Sequence, residues 1–283
     1  MNLPFQIDLS GKVAVITGGA GVLCSAFAEA LAQCGAKVAI IDRNAENGNA
    51  VVDRITEAGG TAIMVTTDCL DVESLKAAHA VVTEKLGPCD ILINGAGGNN
   101  PRATTANEYY EAEDLPDPDK KDFFSLTPDG IKFVFDLNVT AAFLTTQIFA
   151  RDMAKSGNGG NILNISSMNA YRPLTKIPAY SAAKAAVSNF TQWLAVHFAN
   201  TGVRVNAIAP GFFVSKQNYS LLFNEDGTPT ARSGKILAAT PMGRFGKNEE
   251  LIGGLLWLLS EGASFVTGVV LPIDGGFSAY SGV

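Results

Sequence analysis

The hydrophobic pattern alternates along the chain between short runs rich in β-branched residues and longer segments of helical composition. The short runs are almost continuously apolar, as expected for parallel strands that are covered on both faces. We predict seven strands, over Lys12–Thr17, Lys37–Asp42, Thr61–Thr66, Cys89–Asn94, Asn161–Ser166, Val203–Ile208 and Gly268–Ile273. Helices are predicted between them, over Ser25–Gln33, Ala45–Ala58, Val72–Lys85, Pro128–Lys155, Pro178–Asn200 and Glu249–Leu259.

Repeated strand–helix–strand units predict an α/β fold class, a Rossmann-type doubly wound seven-stranded parallel sheet with helices on both faces. A length of 283 residues allows one or two domains, but no linker-like tract divides the chain, so we predict a single domain over 1–283. Two segments interrupt the alternation, a polar insert at 98–127 and a loop at 212–240. Both follow the carboxyl end of a strand, where open α/β sheets bind ligands, so we interpret the second as a substrate loop.

The net charge of −6 argues against nucleic-acid and anionic-membrane partners. No signal peptide and no uninterrupted apolar run of about 18 residues is recognisable, which favours a cytoplasmic protein. The two histidines, His79 and His197, lie in helical segments away from any carboxylate cluster, and we predict no metal site. The cysteines lack a close Cys-x-x-Cys spacing and are interpreted as reduced packing residues: Cys24, Cys34, Cys69 and Cys89.

A glycine-rich turn, Thr17-Gly-Gly-Ala-Gly-Val22, joins the first strand to a helix. Glycines let the backbone approach a pyrophosphate, and the helix N-terminus offers free N–H groups to it. The same turn could serve only as a tight strand–helix connection. The cofactor contacts predicted here are Gly18, Gly21, Val22 and Leu23.

Acidic residues at two later strand ends refine the choice of dinucleotide. Asp42 ends the second strand, where a carboxylate can accept both ribose hydroxyls and repel the 2′-phosphate of NADP. NAD (NADH) is therefore the predicted cofactor, with NADP less favoured, although the adjacent Arg43 could pair with a phosphate. Asp68 either faces the adenine or caps the next helix, and the adjacent Cys69 is also a predicted cofactor contact.

Candidate catalytic residues follow in a fixed order. Tyr180 and Lys184 are four residues apart on a predicted helix and share one face. An ammonium beside a phenol lowers the phenol pKa and favours acid–base work near neutral pH. Ser167 lies thirteen residues before Tyr180, and Asn138 lies further back.

With these residues, the chain resembles the short-chain dehydrogenase/reductase family over essentially its whole length. The matching motifs are Thr17-Gly18, Asp42, Asn94-Gly95-Ala96-Gly97, Asn138, Ser166-Ser167, Tyr180-x-x-x-Lys184, Pro210-Gly211 and Asp274-Gly-Gly. The family's turn reads T-G-x-x-x-G-x-G, whereas Val22 and Cys24 stand here at the last two glycines. Gly21 is then expected to make the close approach, and Cys24 to pack helix against strand.

The resemblance implies a role for each catalytic residue. Tyr180 is the general acid/base, and Ser167, which has the family's spacing where Ser166 does not, holds the substrate oxygen. Lys184 binds the nicotinamide ribose and lowers the phenol pKa, and Asn138 anchors a water that exchanges protons with Lys184. Further cofactor contacts are implied at Asn94, Ala96, Gly97, Tyr180, Lys184, Pro210, Gly211, Phe213 and Ser215, and the C-terminal segment resembles one that packs in family homotetramers.

The substrate is predicted to be a small sugar acid, because several amides and cations lie in the insert and loops. The candidate contacts are Asn99, Asn100, Arg102, Asn169, Arg172, Lys176 and Asn218. Asn94-Gly-Ala-Gly-Gly-Asn-Asn-Pro and Pro241-Met-Gly-Arg-Phe-Gly resemble a family branch of oxidoreductases that interconvert D-fructuronate and D-mannonate. A gluconate 5-dehydrogenase-like, polyol or 3-oxoacyl reductase activity stays open, as does a non-catalytic dinucleotide-sensing protein.

Overall fold

A computed structural model describes residues 7–112, 120–214 and 219–282. The strands in these ranges are β1 (Val13–Thr17), β2 (Lys37–Asp42), β3 (Thr61–Thr66), β4 (Ile91–Asn94), β5 (Gly160–Ile165), β6 (Val203–Pro210) and β7 (Val270–Ile273). They form one parallel sheet of seven strands in the order β3-β2-β1-β4-β5-β6-β7. The predicted fold class is confirmed.

The helices of the described ranges follow the strands in the doubly wound manner. They are α1 (Val22–Gln33), α2 (Ala45–Glu57), α3 (Val72–Lys85), α4 (Pro128–Phe135), α5 (Ala141–Ser156), α6 (Pro178–His197), α7 (Tyr219–Leu222), α8 (Ala231–Ala238) and α9 (Ile252–Leu259). A π-helical segment, Asp136–Thr140, joins α4 to α5. This π-helical segment keeps the helix continuous from α4 to α5, which is why the sequence pattern predicted one helix over this region.

Two hydrophobic cores cover the two faces of the sheet. On one face Ile16 of β1 packs with Leu31 of α1 and Leu255 of α9. On the other face Val15 packs with Phe149 of α5. Neighbouring residues of a strand point to opposite faces, so a strand between two helical layers must be apolar throughout. Each such fully buried side chain contributes about 1.5–3 kcal/mol.

Several helix boundaries differ from the predicted ones where no side-chain cap marks them. Helix α1 begins at Val22, three residues before the predicted Ser25, because Gly21 takes an extended conformation (φ −75°, ψ 159°) and serves as N-cap. Helix α6 ends at His197, and a 3₁₀ turn, Ala199–Thr201, follows it. Similarly, a 3₁₀ turn at Asn248–Leu251 precedes α9, so the predicted start at Glu249 was wrong.

The two long segments contact the rest of the protein and each other. In the insert, the Thr105 N–H donates to the Lys176 carbonyl oxygen at 2.8 Å. Glu108 accepts a hydrogen bond from Lys235 of α8 at 2.7 Å. The loop at 212–240 contains α7 and α8, which the sequence pattern did not indicate. The insert and the loop are therefore joined by an ion pair at the carboxyl edge of the sheet.

The continuous helical stretch Pro128–Ser156 is long and apolar enough, by length and composition, to cross a membrane. Its residues Phe149, Ala150 and Met153 pack against the sheet, and the core helix of a globular domain passes the same test. We interpret the stretch as a core helix.

Candidate active site

The candidate site lies at the carboxyl ends of β1 and β4. These strands are neighbours in the middle of the sheet, with Thr17 paired to Asn94, at the point where the strand order reverses. Such a switch point opens a crevice in doubly wound sheets. The Thr17 hydroxyl oxygen accepts N–H groups from Gly95 (3.1 Å) and Ala96 (3.2 Å), so one side chain shapes the loops that follow both strands.

The glycine-rich turn is shaped for close approach. Gly18 has a φ of +64°, and a Cβ there would lie 2.9 Å from the Ala96 backbone, so only glycine fits without strain. No side chain caps the N-terminus of α1. Among the described helices, four have side-chain caps, from Asn44, Asp71, Thr127 and Thr230, whereas α5, α6 and α9 share the uncapped start of α1. The first-turn N–H groups of α1, including those of Val22 and Leu23, thus suit an anion such as a pyrophosphate.

Cys24 packs α1 onto the end of β4. A Cβ placed on Gly95 would lie 2.2 Å from the Cys24 Sγ, so the sulfur occupies the space that a side chain at 95 would need. Burial raises the pKa of the Cys24 thiol to about 12, which keeps it neutral. Cys24 belongs to the main core cluster.

Asp42 lies beside the glycine-rich turn at the end of β2. Its carboxylate accepts N–H groups from Ala20 (3.1 Å) and Asn44 (3.0 Å). The carboxylate is therefore held at the mouth of the turn by the backbone on both sides. This placement fits a ribose that extends from a pyrophosphate bound at the α1 N-terminus.

Asp68 does not cap a helix, so the capping interpretation was wrong. Helix α3 is capped by Asp71, which accepts N–H groups from Glu73 (2.9 Å) and Ser74 (3.4 Å). Asp68 instead accepts the Leu70 N–H at 2.9 Å, within the loop after β3. The Cys69 side chain is buried in the core, where burial raises the pKa of its thiol to about 12.

Asn94 has a structural task that the sequence analysis missed. Its amide donates to Thr146 (2.9 Å) and to Asn164 (2.8 Å), and its oxygen accepts the Thr145 hydroxyl at 2.5 Å. Asn164 in turn donates to Thr191 of α6 at 2.9 Å. This buried network ties β4 to β5, α5 and α6. Asn164 within the apolar run of β5 was the available signal for it.

Asn138 anchors the loop after β4. Its side-chain amide donates to the Gly98 and Val134 carbonyl oxygens, both at 2.8 Å, and its oxygen accepts the Gly98 N–H at 3.0 Å. A Cβ on Gly97 would lie 2.6 Å from this oxygen and 3.2 Å from the Lys184 Nζ. Gly97 must therefore stay small to keep Asn138 and Lys184 in place. Both side-chain N–H bonds of Asn138 are donated to backbone oxygens, so the side-chain N–H group does not hold the predicted water.

Lys184 is buried beneath the site and points its ammonium at the end of β5. The Nζ donates to the Ile165 carbonyl oxygen at 2.7 Å. Burial lowers the pKa of Lys184 to about 8. The two serines that follow β5 diverge: the Ser166 hydroxyl donates to the Lys184 carbonyl oxygen at 3.2 Å, whereas the Ser167 hydroxyl oxygen accepts the Asn169 N–H at 3.2 Å.

The pKa of Tyr180 shifts in the opposite direction to the one predicted. Burial raises its pKa above the ordinary phenol value, and the hydrogen bond with Ser167 lowers it by less. The Lys184 Nζ lies 5.6 Å from the centre of the Tyr180 ring and is turned toward Ile165. The prediction that the neighbouring ammonium lowers the Tyr180 pKa was therefore wrong for the protein without cofactor, because desolvation dominates.

The candidate substrate residues fall into two groups. Several are engaged within their own loops: Asn99 donates to Thr104 at 3.0 Å, and Arg102 donates to Asn100 at 3.3 Å while lying 4.6 Å from the centre of the Phe133 ring. Arg172 donates to the Ser278 carbonyl oxygen at 3.2 Å. It thereby holds the C-terminal segment.

Lys176 and Asn169 form the second group. Lys176 has a φ of 73°, the positive value that non-glycine residues rarely adopt, and its carbonyl oxygen binds the insert. Asn169 lies in the 3₁₀ turn Met168–Ala170 directly after Ser167 and is 4% exposed. Both lie on elements adjacent to the predicted catalytic residues.

The segment after β6 lies next to the C-terminal strand. The Gly211 N–H donates to the Ile273 carbonyl oxygen at 2.9 Å, and a Cβ on Gly211 would lie 2.6 Å from the Asp274 Cα. Pro210 ends β6. The Phe213 side chain is buried in the core against Gly246, so of Phe213 only the backbone can face a cofactor. The predicted residues Ser215 and Asn218 lie outside the described residues.

Comparison with known proteins places this geometry among dehydrogenases. A family model for short chain dehydrogenases matches residues 12–222. An uncharacterized oxidoreductase of Bacillus subtilis, UxuB, is 56% identical over 282 residues, covering 99% of this chain and 100% of the relative. An uncharacterized oxidoreductase of Haemophilus influenzae is 55% identical over 284 residues, covering 100% and 99%.

A solved structure is similarly close. It is the crystal structure of a candidate D-mannonate oxidoreductase from Haemophilus influenzae with bound NAD. It is 54% identical to this chain, covers 100% of both chains and superposes with a TM-score of 0.94.

Proposed function

Because this chain belongs to the short-chain dehydrogenase family and is an oxidoreductase, we propose that it uses NAD to transfer hydride to or from a sugar acid. The proposed pair is D-fructuronate and D-mannonate. The family match confirms the resemblance predicted from the motifs, and the similar structure with bound NAD supports both the cofactor and this substrate branch.

The residues present fit a dinucleotide. The uncapped N-terminus of α1 offers N–H groups to the pyrophosphate, and Asp42 offers a carboxylate to the adenosine ribose. The Asp42 charge disfavours the additional phosphate of NADP. When bound, NAD supplies the hydride acceptor, or NADH the donor, that the protein itself lacks.

Ser167 and Tyr180 hold the reacting oxygen of the substrate in this proposal. The Ser167 oxygen already accepts the Asn169 N–H, so its own proton can be donated to the substrate oxygen. Tyr180 carries its proton at neutral pH, as an ordinary phenol does, so a proton is available for ketone reduction. Its raised pKa makes the phenol a weaker acid in the protein alone. In the oxidative direction the phenol must lose its proton, which requires positive charge beside it.

Lys184 and Asn138 support that proton transfer. With a pKa of about 8, Lys184 can give up and regain a proton close to physiological pH. Asn138 holds the loop of Gly97 and Gly98 over the ammonium. Asn138 is thus a positioning residue, and the acid–base work falls on Tyr180 and Lys184.

The cations around Glu108 are the observation that supports a substrate with a carboxylate group. This carboxylate, in the insert, pairs with Lys235 at 2.7 Å. The hydrogen bond from Lys235 lowers the Glu108 pKa most, and the charges of Lys176 and Arg232 lower it further. One carboxylate thus faces three cations in a protein of net charge −6. In this proposal Lys176, Arg232 and Lys235 are the cations that attract the carboxylate of a sugar acid.

NADH oxidation with D-fructuronate tests the proposal, with 5-ketogluconate and NADPH in parallel. Turnover of D-fructuronate with NADH, lost in Tyr180→Phe, is the expected result. Faster turnover of 5-ketogluconate would favour the gluconate 5-dehydrogenase-like alternative, and NADH binding without turnover of any ketone would favour a dinucleotide sensor.

Substitution of Lys176 tests whether these cations bind the substrate carboxylate. Lys176→Gln is expected to raise the KM for D-fructuronate about fivefold, because one cation near a carboxylate is worth on the order of 1 kcal/mol at a solvated site. Lys155→Gln, at the exposed end of α5, is the matched control and should leave KM unchanged. An equal KM for both variants would contradict the role of Lys176.

We extend the proposal to assembly. A single domain over 1–283 forms a cytoplasmic homotetramer, supported by large apolar side chains exposed on the outer faces of α5 and α6: Phe143, Trp193 and Val196. Light scattering on the purified protein should give four times the chain mass. A monomeric mass would overturn this part without affecting the chemistry.

A further inference from the structure

Buried polar atoms without partners are rare in the described ranges. Three side-chain atoms qualify: Asn169 Oδ1, Ser181 Oγ and Asn248 Oδ1. Asn169 lies in the turn directly after Ser167, and Ser181 follows Tyr180 on α6, which packs against that turn. Native structures satisfy most buried polar groups, so an unpaired one beside a catalytic centre points to a ligand.

The position of Asn169 is set by the catalytic serine. Its backbone N–H donates to the Ser167 oxygen at 3.2 Å, and the residue is 4% exposed. The carboxamide therefore belongs to a fixed turn next to the hydroxyl that would bind the reacting oxygen. A group that meets it would lie close to the reacting carbon of the substrate.

A carboxamide matches a hydroxyl group. It presents one acceptor oxygen and two N–H donors, and rotation about its last side-chain bond exchanges the two. A hydroxyl both donates and accepts, so it pairs with either orientation. A carboxylate would need a charged partner, and the cations near Glu108 lie on other elements, namely Lys176, Arg232 and Lys235.

We propose that Asn169 is a specificity-determining residue that hydrogen-bonds a hydroxyl on the carbon next to the reacting carbonyl. The enzyme then selects α-hydroxy ketones over plain ketones, and vicinal diols over isolated alcohols in the oxidative direction. The inference rests on the proposed function in requiring Ser167 and Tyr180 to hold the carbonyl oxygen. It does not depend on the identity of the sugar acid.

The selectivity follows from the unpaired group. A plain ketone would leave the carboxamide oxygen buried and unpaired in the complex, whereas the hydroxyl of a hydroxy ketone would donate to it. Sites built to bind a substrate hydroxyl reject analogues that lack it strongly. A bound water could also satisfy Asn169, but it would do so for both kinds of substrate, so the substrate comparison separates the two cases.

The test compares kcat/KM for 3-hydroxy-2-butanone and 2-butanone, with NADH, in wild type and in Asn169→Leu. Leucine keeps the branched shape and removes both polar atoms. The expected result is a loss of about 10- to 100-fold for the hydroxy ketone, the range of one buried hydrogen bond. Turnover of 2-butanone should stay the same or rise, because the variant leaves no unpaired polar atom beside it. Asn169→Asp, which retains an acceptor, should recover part of the preference.

Asn248→Leu is the matched control, because it removes an identical unpaired oxygen from the 3₁₀ turn before α9. It should alter thermal stability at most and leave the ratio of kcat/KM values unchanged. An equal loss for both ketones in Asn169→Leu, or no loss, would overturn the inference.

D-fructuronate, assayed in the same series, separates the two proposals. Its failure together with a preserved hydroxy-ketone preference would reject the sugar acid and keep the role of Asn169. Turnover of D-fructuronate without that preference would keep the sugar acid and reject the role of Asn169. No NADH oxidation with any of the three ketones would reject the proposed function and the inference that rests on it.

Discussion

The Lys184 ammonium lies 5.6 Å from the centre of the Tyr180 ring but donates its hydrogen bond to the Ile165 carbonyl oxygen. The two side chains share a helix face, yet the pKa values move in the direction that burial dictates: that of Tyr180 rises and that of Lys184 falls to about 8. Both groups are therefore biased toward their neutral forms. Charge from a bound cofactor is needed to reverse this bias for Tyr180.

The first prediction concerns the ionisation of Tyr180. In the protein alone, its pKa lies above the ordinary phenol value, so the phenolate should form only above about pH 10. Oxidised NAD brings a positive ring and should lower that pKa. The measurement is the phenolate absorbance difference between wild type and Tyr180→Phe, titrated with and without NAD.

A titration curve that NAD leaves in place would contradict this account. NADH, whose ring is neutral, serves as the control and should move the curve less than oxidised NAD does.

The second prediction concerns stability. A buried ammonium whose pKa falls from 10.5 to about 8 destabilises the folded state at neutral pH, where it is protonated in both states. The shift corresponds to about 3 kcal/mol. Lys184→Met should therefore raise the free energy of unfolding at pH 7 by about 1–3 kcal/mol, after loss of the bond to Ile165, and should abolish activity.

The sign of its pH dependence is testable. The folded-state pKa is the lower one, so the unfolded chain binds more protons between pH 8 and 10.5 and wild type gains stability as pH rises through this window. The advantage of Lys184→Met should shrink over the same window in urea titrations. A constant difference would show that the lysine pKa is not lowered.

The third prediction concerns cofactor choice at Asp42. Asp42→Asn keeps an acceptor for the Ala20 N–H and removes the charge. The ratio of kcat/KM for NADPH to that for NADH should rise about 10- to 100-fold, because repulsion of the 2′-phosphate is lost. Asp68→Asn should leave the ratio unchanged. A shift in both variants would assign the effect to overall charge.

The fourth prediction concerns the contact of Cys24 with Gly95. Gly95→Ala places a Cβ 2.2 Å from the Cys24 Sγ and 2.7 Å from the Thr17 carbonyl oxygen, so unfolding should become about 1–3 kcal/mol easier. Adding Cys24→Ala should recover part of this loss, because the backbone oxygen of Thr17 still obstructs the methyl group. Urea unfolding of the single and double variants measures the coupling.

Gly234→Ala is the control, since nothing lies within 4 Å of its Cβ position in α8. It should be neutral or stabilising by up to about 1 kcal/mol. If Gly95→Ala behaved in the same way, the close contact with Cys24 would be refuted.

Much of the architecture could be predicted because its determinants are local. Apolar runs predicted all seven strands of the observed sheet, since strands between two helical layers are apolar throughout. Helix starts were less predictable: α1 begins without a capping side chain, because its N-terminus is left free beside the glycine-rich turn. The π-helical insertion at Asn138 was also invisible, since it does not interrupt the hydrophobic pattern.

Among the site residues, the sequence placed Thr17, Asn94 and Ser167 at strand ends that meet at one edge. It could not show that the Asn94 side chain is used within a buried network, because that depends on which threonines of α5 reach it. For the same reason it could not separate Asp68 from Asp71 as the cap of α3.

The sequence by itself determined the alternation of strands and helices along the chain, the glycine-rich turn after β1 and the spacing of Tyr180 and Lys184, because each depends on neighbouring residues and on backbone periodicity. Only the tertiary structure decided the direction of the two pKa shifts and the unpaired carboxamide oxygen of Asn169, which depend on burial. It likewise decided the pairing of Glu108 with Lys235, which lie 127 residues apart. Burial and long-range pairing are properties of packed surfaces, and a linear pattern records neither.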